Sequence, residues 1–165
     1  MNLENIFKNP LKARQNGILL LGEICKAPQH GSARCLQLIA AGANTNMRGD
    51  LDRTALMYAA RNGLTEIIDA LIAQGARINA QDYSGMTPLM HAAENGHTKA
   101  ALALIAHGAD TTIKSNQEMT AQEIADILDR TSLRKALVEQ LFTTAAAKGT
   151  PCARKIRRRK IGATP

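Results

Sequence analysis

TALMYAARNGLTEIIDALIAQGARINAQ, Thr54 to Gln81, and TPLMHAAENGHTKAALALIAHGADTTIK, Thr87 to Lys114, are two copies of one unit. They are offset by 33 residues, need no gap, and agree at 14 of 28 aligned positions. The identities include Thr54/Thr87, Leu56/Leu89, Ala59/Ala92, Ala60/Ala93, Gly63/Gly96, Leu71/Leu104, Ile72/Ile105 and Gly75/Gly108. A fixed period of this length marks a stacked array, in which each unit buries its apolar face only against its neighbours.

The unit reads as two helices. Thr87 stands where an N-cap hydroxyl belongs, and Pro88 stands at the first helical position. Leu89, Ala92 and Ala93 give a short helix with a small-residue face, which lets a neighbouring helix approach closely. Asn95-Gly96 ends it with a left-handed turn. A second helix carries Ala101, Leu104 and Ile105 on one side and stops at Gly108. The stretch joining one pair to the next is polar and suits a turn or short hairpin. The expected fold class is therefore all-α, a solenoid of helix-turn-helix units.

The pattern resembles the ankyrin repeat. The resemblance rests on Thr87-Pro88-Leu89 with Ala92-Ala93, Asn95-Gly96-His97 and Gly108-Ala109-Asp110. In the preceding copy it rests on Thr54-Ala55-Leu56, Ala59-Ala60, Asn62-Gly63 and Gly75-Ala76-Arg77-Ile78-Asn79. The family's usual His after Thr-Pro-Leu is Met57 and Met90 here. That His normally braces the repeat near the Thr hydroxyl.

The flanks read as degenerate outer copies. Leu38, Ile39, Gly42, Ala43, Asn44 and Asn46 lie one period before Leu71, Ile72, Gly75, Ala76, Arg77 and Asn79. A first helix is expected over about Gly17 to Cys25, then a loop over Ala27-Pro28-Gln29-His30-Gly31. Downstream, Thr120 repeats Thr87, and Leu133, Leu137 and Val138 match Ala100, Leu104 and Ile105. Polar residues such as Gln122, Glu123, Asp126 and Asp129 suit a terminal copy with a wet outer face. The expected organisation is a lead-in over residues 1–13, a repeat domain over 14–142 and a basic tail over 143–165. Two regular repeats, about 49–81 and 82–114, lie between capping copies at 14–48 and 115–142.

Composition agrees. The chain is 45% hydrophobic but only 2% aromatic, so its core is Leu, Ile and Ala, as close helix stacking requires. No apolar run approaches the roughly 18 residues of a membrane span. Ile18-Leu19-Leu20-Leu21 is shorter than a signal-peptide core of about 7–15 apolar residues. The chain is expected in the cytoplasm, with the nucleus, or a host cell if the source is bacterial, as alternatives. Cys25, Cys35 and Cys152 are odd in number and read as reduced thiols rather than a disulfide framework. Cys25 with His30 lacks a third, orienting group, so packing is expected there. His91, His97 and His107 have no metal-ligand spacing. No phosphate loop and no Ser/His/Asp arrangement stands out. No cofactor, metal or catalysis is expected.

The charge sits at one end. Up to Ala147, Lys+Arg and Asp+Glu are equal at 14 each, so the whole +7 lies in the last 18 residues. Lys148, Arg154, Lys155, Arg157, Arg158, Arg159 and Lys160 fall there with no acid. A segment with so little apolar surface is expected to be disordered. Its basic cluster can be read as a nuclear signal for an importin, a nucleic-acid contact, an anionic-surface patch, or a solubilising tail.

The resemblance implies binding of a protein partner on a concave face lined by hairpin tips and first helices. On the first regular repeat the implied contact residues are Asp50, Leu51, Arg53, Tyr58, Arg61 and Asn62. On the second they are Tyr83, Ser84, Met86, His91, Glu94 and Asn95, and Lys114, Gln117 and Met119 continue the row. Tyrosine, methionine and arginine are residue types that interfaces favour. The expected activity is that of a monomeric adaptor, inhibitor or host-interacting module. The alternative is a nuclear or nucleic-acid-associated protein that uses the tail.

Overall fold

The computed structural model describes residues 10–30, 32–128 and 138. Seven helices follow one another among the described residues: α1 (Pro10–His30), α2 (Ala33–Ala40), α3 (Ala55–Arg61), α4 (Thr65–Ala73), α5 (Pro88–Glu94), α6 (Thr98–Ala106) and α7 (Ala121–Ile127). They pair as α1/α2, α3/α4 and α5/α6, and α7 opens the next unit. First helices α1, α3, α5 and α7 pack in a row, and α2, α4 and α6 pack in a second row. The result is the two-layer all-α stack that the period predicts. The second helix expected of the last copy falls, Val138 apart, outside the described residues, and so does the tail from Arg154 to Lys160.

Local chemistry sets the helix starts. The Thr54 hydroxyl accepts from the Met57 N–H at 3.4 Å, Thr87 from Met90 at 3.3 Å, and Thr120 from Glu123 at 3.3 Å. The reciprocal bond differs between repeats. In the last one the Glu123 carboxylate accepts from the Thr120 N–H at 2.7 Å. In the other two a thioether sulfur takes that place, Met57 for Thr54 at 3.3 Å and Met90 for Thr87 at 3.5 Å. Methionine thus closes the capping box, weakly, where the usual His is missing. The turns expected at Gly63, Gly75, Gly96 and Gly108 all have positive φ.

The core is aliphatic. Leu20, Ile24, Leu56, Ile67, Ile68, Leu71 and Leu104 are wholly buried, with Ala59, Ala60, Ala92, Ala93, Ala100 and Ala101 between them. The alanines let the helix rows approach closely.

One expectation needs correcting. The first helix does not stop at Cys25; it starts at Pro10, inside the span read as a lead-in, and continues through Pro28 to His30. Proline has no N–H to give the Ile24 carbonyl. The Asn62 side-chain amide supplies that bond from the next repeat, at 3.0 Å. The helix overruns the loop expected at Ala27–Gly31 because a tertiary donor replaces the missing one.

Candidate functional site

The tips between helix pairs form a ladder at the repeat period. The Tyr83 N–H donates to the Leu51 carbonyl and the Asn116 N–H to the Ser84 carbonyl, both at 3.0 Å. The Arg48 guanidinium reaches the Gln81 carbonyl at 2.7 Å, and Gln81 Nε2 reaches the Lys114 carbonyl at 3.0 Å. Asn116 Nδ2 donates to the Tyr83 carbonyl at 3.1 Å. Asn46 and Asn79 do the same below the tips, each accepting from a backbone N–H in the next unit. Each of the three described tips is thereby fixed to its neighbour.

Asp82 anchors the middle tip to its helix. Its side chain is only 1% exposed. Oδ1 accepts from the Ser84 and Met86 N–H groups, both at 2.9 Å. Oδ2 meets His91 Nε2 at 2.9 Å and accepts from Arg53 Nε at 3.3 Å. Burial alone would raise the Asp82 pKa, but these donors, Met86 and His91 foremost, hold it below the ordinary carboxylate value. The His91 pKa is pushed down by burial, against the pull of Asp82. A neutral imidazole beside an ionised carboxylate carries its proton on Nε2. Nδ1 is then a lone pair with no hydrogen-bond partner, 3.8 Å from the Glu94 carboxylate.

Beside this network is a cavity of about 440 Å³, lined by Arg53, Tyr83, Met86, His91, Glu94 and Gln117 among others. Tyr83 is 81% exposed at its rim, and Leu51 on the neighbouring tip is 59% exposed. Leu51 and Asp52 both have left-handed backbones, at φ 56° and 62°.

Of the residues expected to meet a partner, Asp50, Leu51, Arg61, Tyr83, Ser84, Glu94 and Asn95 are exposed. Arg53, Tyr58 and Met86 are half-buried, and the Tyr58 hydroxyl donates to the Asp50 carbonyl at 3.3 Å. Lys114 and Gln117 are exposed, and Met119 packs partly on the core. Two assignments change. His91 is buried against Asp82, so it braces the tip from within. Asn62 is half-buried and spends its amide on α1. Sequence reasoning missed Asp82; its only signal was an Asp two residues before an N–H that turns back on it, in Asp82-Tyr83-Ser84.

Cys35 is buried, whereas Cys25 is exposed rather than packed. Burial is the main cause raising both thiol pKa values. Among the described residues no group of three His, Cys, Asp or Glu side chains could hold a metal ion. Among them, too, no helix is long and apolar enough to cross a membrane.

No curated protein matches the chain closely enough to count as a relative. A family model described as ankyrin repeats, in three copies, matches residues 24–115. That span takes in α2 to α6 whole and the tips that join them. With the 33-residue period, the threonine caps and the paired helix rows, it shows that the chain belongs to the ankyrin-repeat family.

Proposed function

We propose that this chain is a non-catalytic interaction module that binds a protein partner along its tips and first helices, as an adaptor, an inhibitor or an effector within a host. Ankyrin repeats are in general protein-interaction modules. The observation that carries the reading is Tyr83, 81% exposed on a tip whose backbone is bonded on both sides. A large aromatic ring on a rigid support, above a cavity with Arg53 and Glu94 in its walls, is what an interface anchor needs.

The test is a pull-down with the full chain and with the Tyr83→Ala/Arg61→Ala variant. Loss of the captured partner is expected, at more than about 2 kcal/mol for a central anchor. Thermal stability should change by no more than about 0.5 kcal/mol, since both side chains are exposed. Equal capture by both proteins would remove this face. A steep fall of binding with salt, and its loss on deleting residues 148–165, would instead favour the reading through the tail, by phosphate contacts.

A further inference from the structure

The outer face of α1 is apolar and exposed. Leu20 and Ile24 are wholly buried on its inner side. On the opposite side Leu11 is 75%, Ile18 59% and Leu19 48% exposed. Residues 11, 15, 18, 22 and 25 follow one another at alternating spacings of four and three, the seam of a helix that packs on another helix. Their side chains are Leu11, Gln15, Ile18, none at Gly22, and Cys25, all exposed and none charged.

This seam is complementary to itself. Ile18 lies seven residues from both Leu11 and Cys25. Two copies of α1 laid antiparallel about a two-fold axis at Ile18 bring Ile18 onto its mate and each Leu11 over the other copy's Cys25. Each long Gln15 then lies over the other Gly22, where a Cβ would meet nothing within 4 Å of its own chain. The charges agree. Lys12 and Glu23 lie on the same flank of the seam, and antiparallel helices oppose like flanks. Each Lys12 therefore meets the Glu23 of the other copy, twice by symmetry. Within their own chain neither makes an ion pair among the described residues.

We infer that α1 is a self-association surface and that the chain forms a two-fold dimer through antiparallel α1 helices. The sequence leads to the expectation of a monomer; the exposed seam is what changes it. Such an isologous contact uses one patch twice and closes on itself. It uses one helix from each chain, so a concentration-dependent equilibrium is expected rather than a permanent pair. The dimer would set two tip-lined faces in one particle, which raises avidity for a partner with repeated sites.

The experiment is sedimentation equilibrium of the full chain over roughly 1 to 300 µM, a range that brackets micromolar association. The weight-average mass should climb from one chain towards two. Ile18→Glu should sediment as one chain throughout. Gly22→Leu should weaken the dimer without lowering the melting temperature, because its side chain has open space in the monomer. Lys12→Glu and Glu23→Lys should each raise the dissociation constant by about tenfold, since two pairs become repulsive. The double charge-swap variant should recover the original value. A single-chain mass at every concentration, or a double swap no better than the singles, would overturn the inference. So would a single-chain mass together with a fall in melting temperature on removing residues 2–8, which would give the face to the chain's own N-terminus.

Discussion

Replacing Asp82 by alanine should cost the fold about 3 kcal/mol, and the reason is four donors rather than one. The carboxylate serves the Ser84 and Met86 N–H groups, His91 and Arg53. The losses are unequal. Ser84 is exposed and Arg53 is 19% exposed, so water can take over much of their share. His91 is 2% exposed and Met86 is half-buried. Each leaves a donor stranded, at about 1–3 kcal/mol per group. A repeat domain of this size should then melt about 10 °C lower. Asn in place of Asp keeps an oxygen for the two backbone donors and should lose about half as much. Urea denaturation followed by helical circular dichroism measures both variants. A loss under about 1 kcal/mol for Asp82→Ala would refute the view that this carboxylate holds the tip to α5.

Gly75→Ala adds a left-handed alanine in open space and should cost about 1–2 kcal/mol. Gly63→Ala has the same backbone strain and also drives its Cβ to within 2.6 Å of the His97 ring, so its urea midpoint should fall further. Glu118→Gly should stabilise by about 0.5–1 kcal/mol, because Glu118 has φ 61° and its Lys114 pair is exposed on both sides; an unchanged midpoint would show that the tip carries no strain there. Acid should weaken the fold in two windows. The folded His91 pKa lies below 6.5, so the unfolded chain takes up that proton first; stability is full above 6.5 and falls as pH drops through the folded value. The folded Asp82 pKa lies below 3.8, so its contribution is full above 3.8 and is lost as pH falls through its folded value. Urea midpoints from pH 8 to 2 should fall in both windows, the lower one shared with Glu123, which its hydrogen bonds to Thr120 hold below 4.5, and His91→Gln should remove the upper one alone.

The stack was legible because its rules are local. A threonine, an apolar pair at the right spacing and a glycine define each helix without reference to the rest of the chain. What escaped depends on contacts between units. Pro28 ought to end a helix by any local rule, yet α1 continues, and the Ile24 carbonyl that Pro28 leaves without a donor is met by the Asn62 amide from 38 residues further along. Asp82 was hidden for a different reason. Its periodic equivalents are Gly49 and Ser115, so the position does not look like a repeated feature. Ser115 keeps part of the role, its hydroxyl accepting from the Gln117 N–H at 3.3 Å. His91 then read as a surface residue, because the buried acid that draws it inward had not been seen. Exposure on α1 was invisible as well: an apolar stripe reads as core until the structure shows Leu20 and Ile24 wholly buried and Leu11 and Ile18 left exposed.

Asp82 and Tyr83 are adjacent in sequence, yet they bear on binding by different routes. The Tyr83 backbone is held by Leu51 on one side and by Asn116 on the other. Docking therefore restricts a side chain and hardly any main chain, which keeps the ordering cost near 0.5–1.5 kcal/mol for that residue. Removing its ring takes away contact area and leaves the tip in place. Removing the Asp82 carboxylate leaves the ring intact but frees the turn beneath it, through the Ser84 and Met86 N–H groups. The anchor then has to be ordered again at each binding event. Tyr83→Ala should thus weaken a partner at full thermal stability. Asp82→Ala should weaken it only in step with lost order at the tip, seen as faster hydrogen exchange of the Met86 amide. If Asp82→Ala speeds that exchange and binding is untouched, the rigidity of the tip plays no part in recognition.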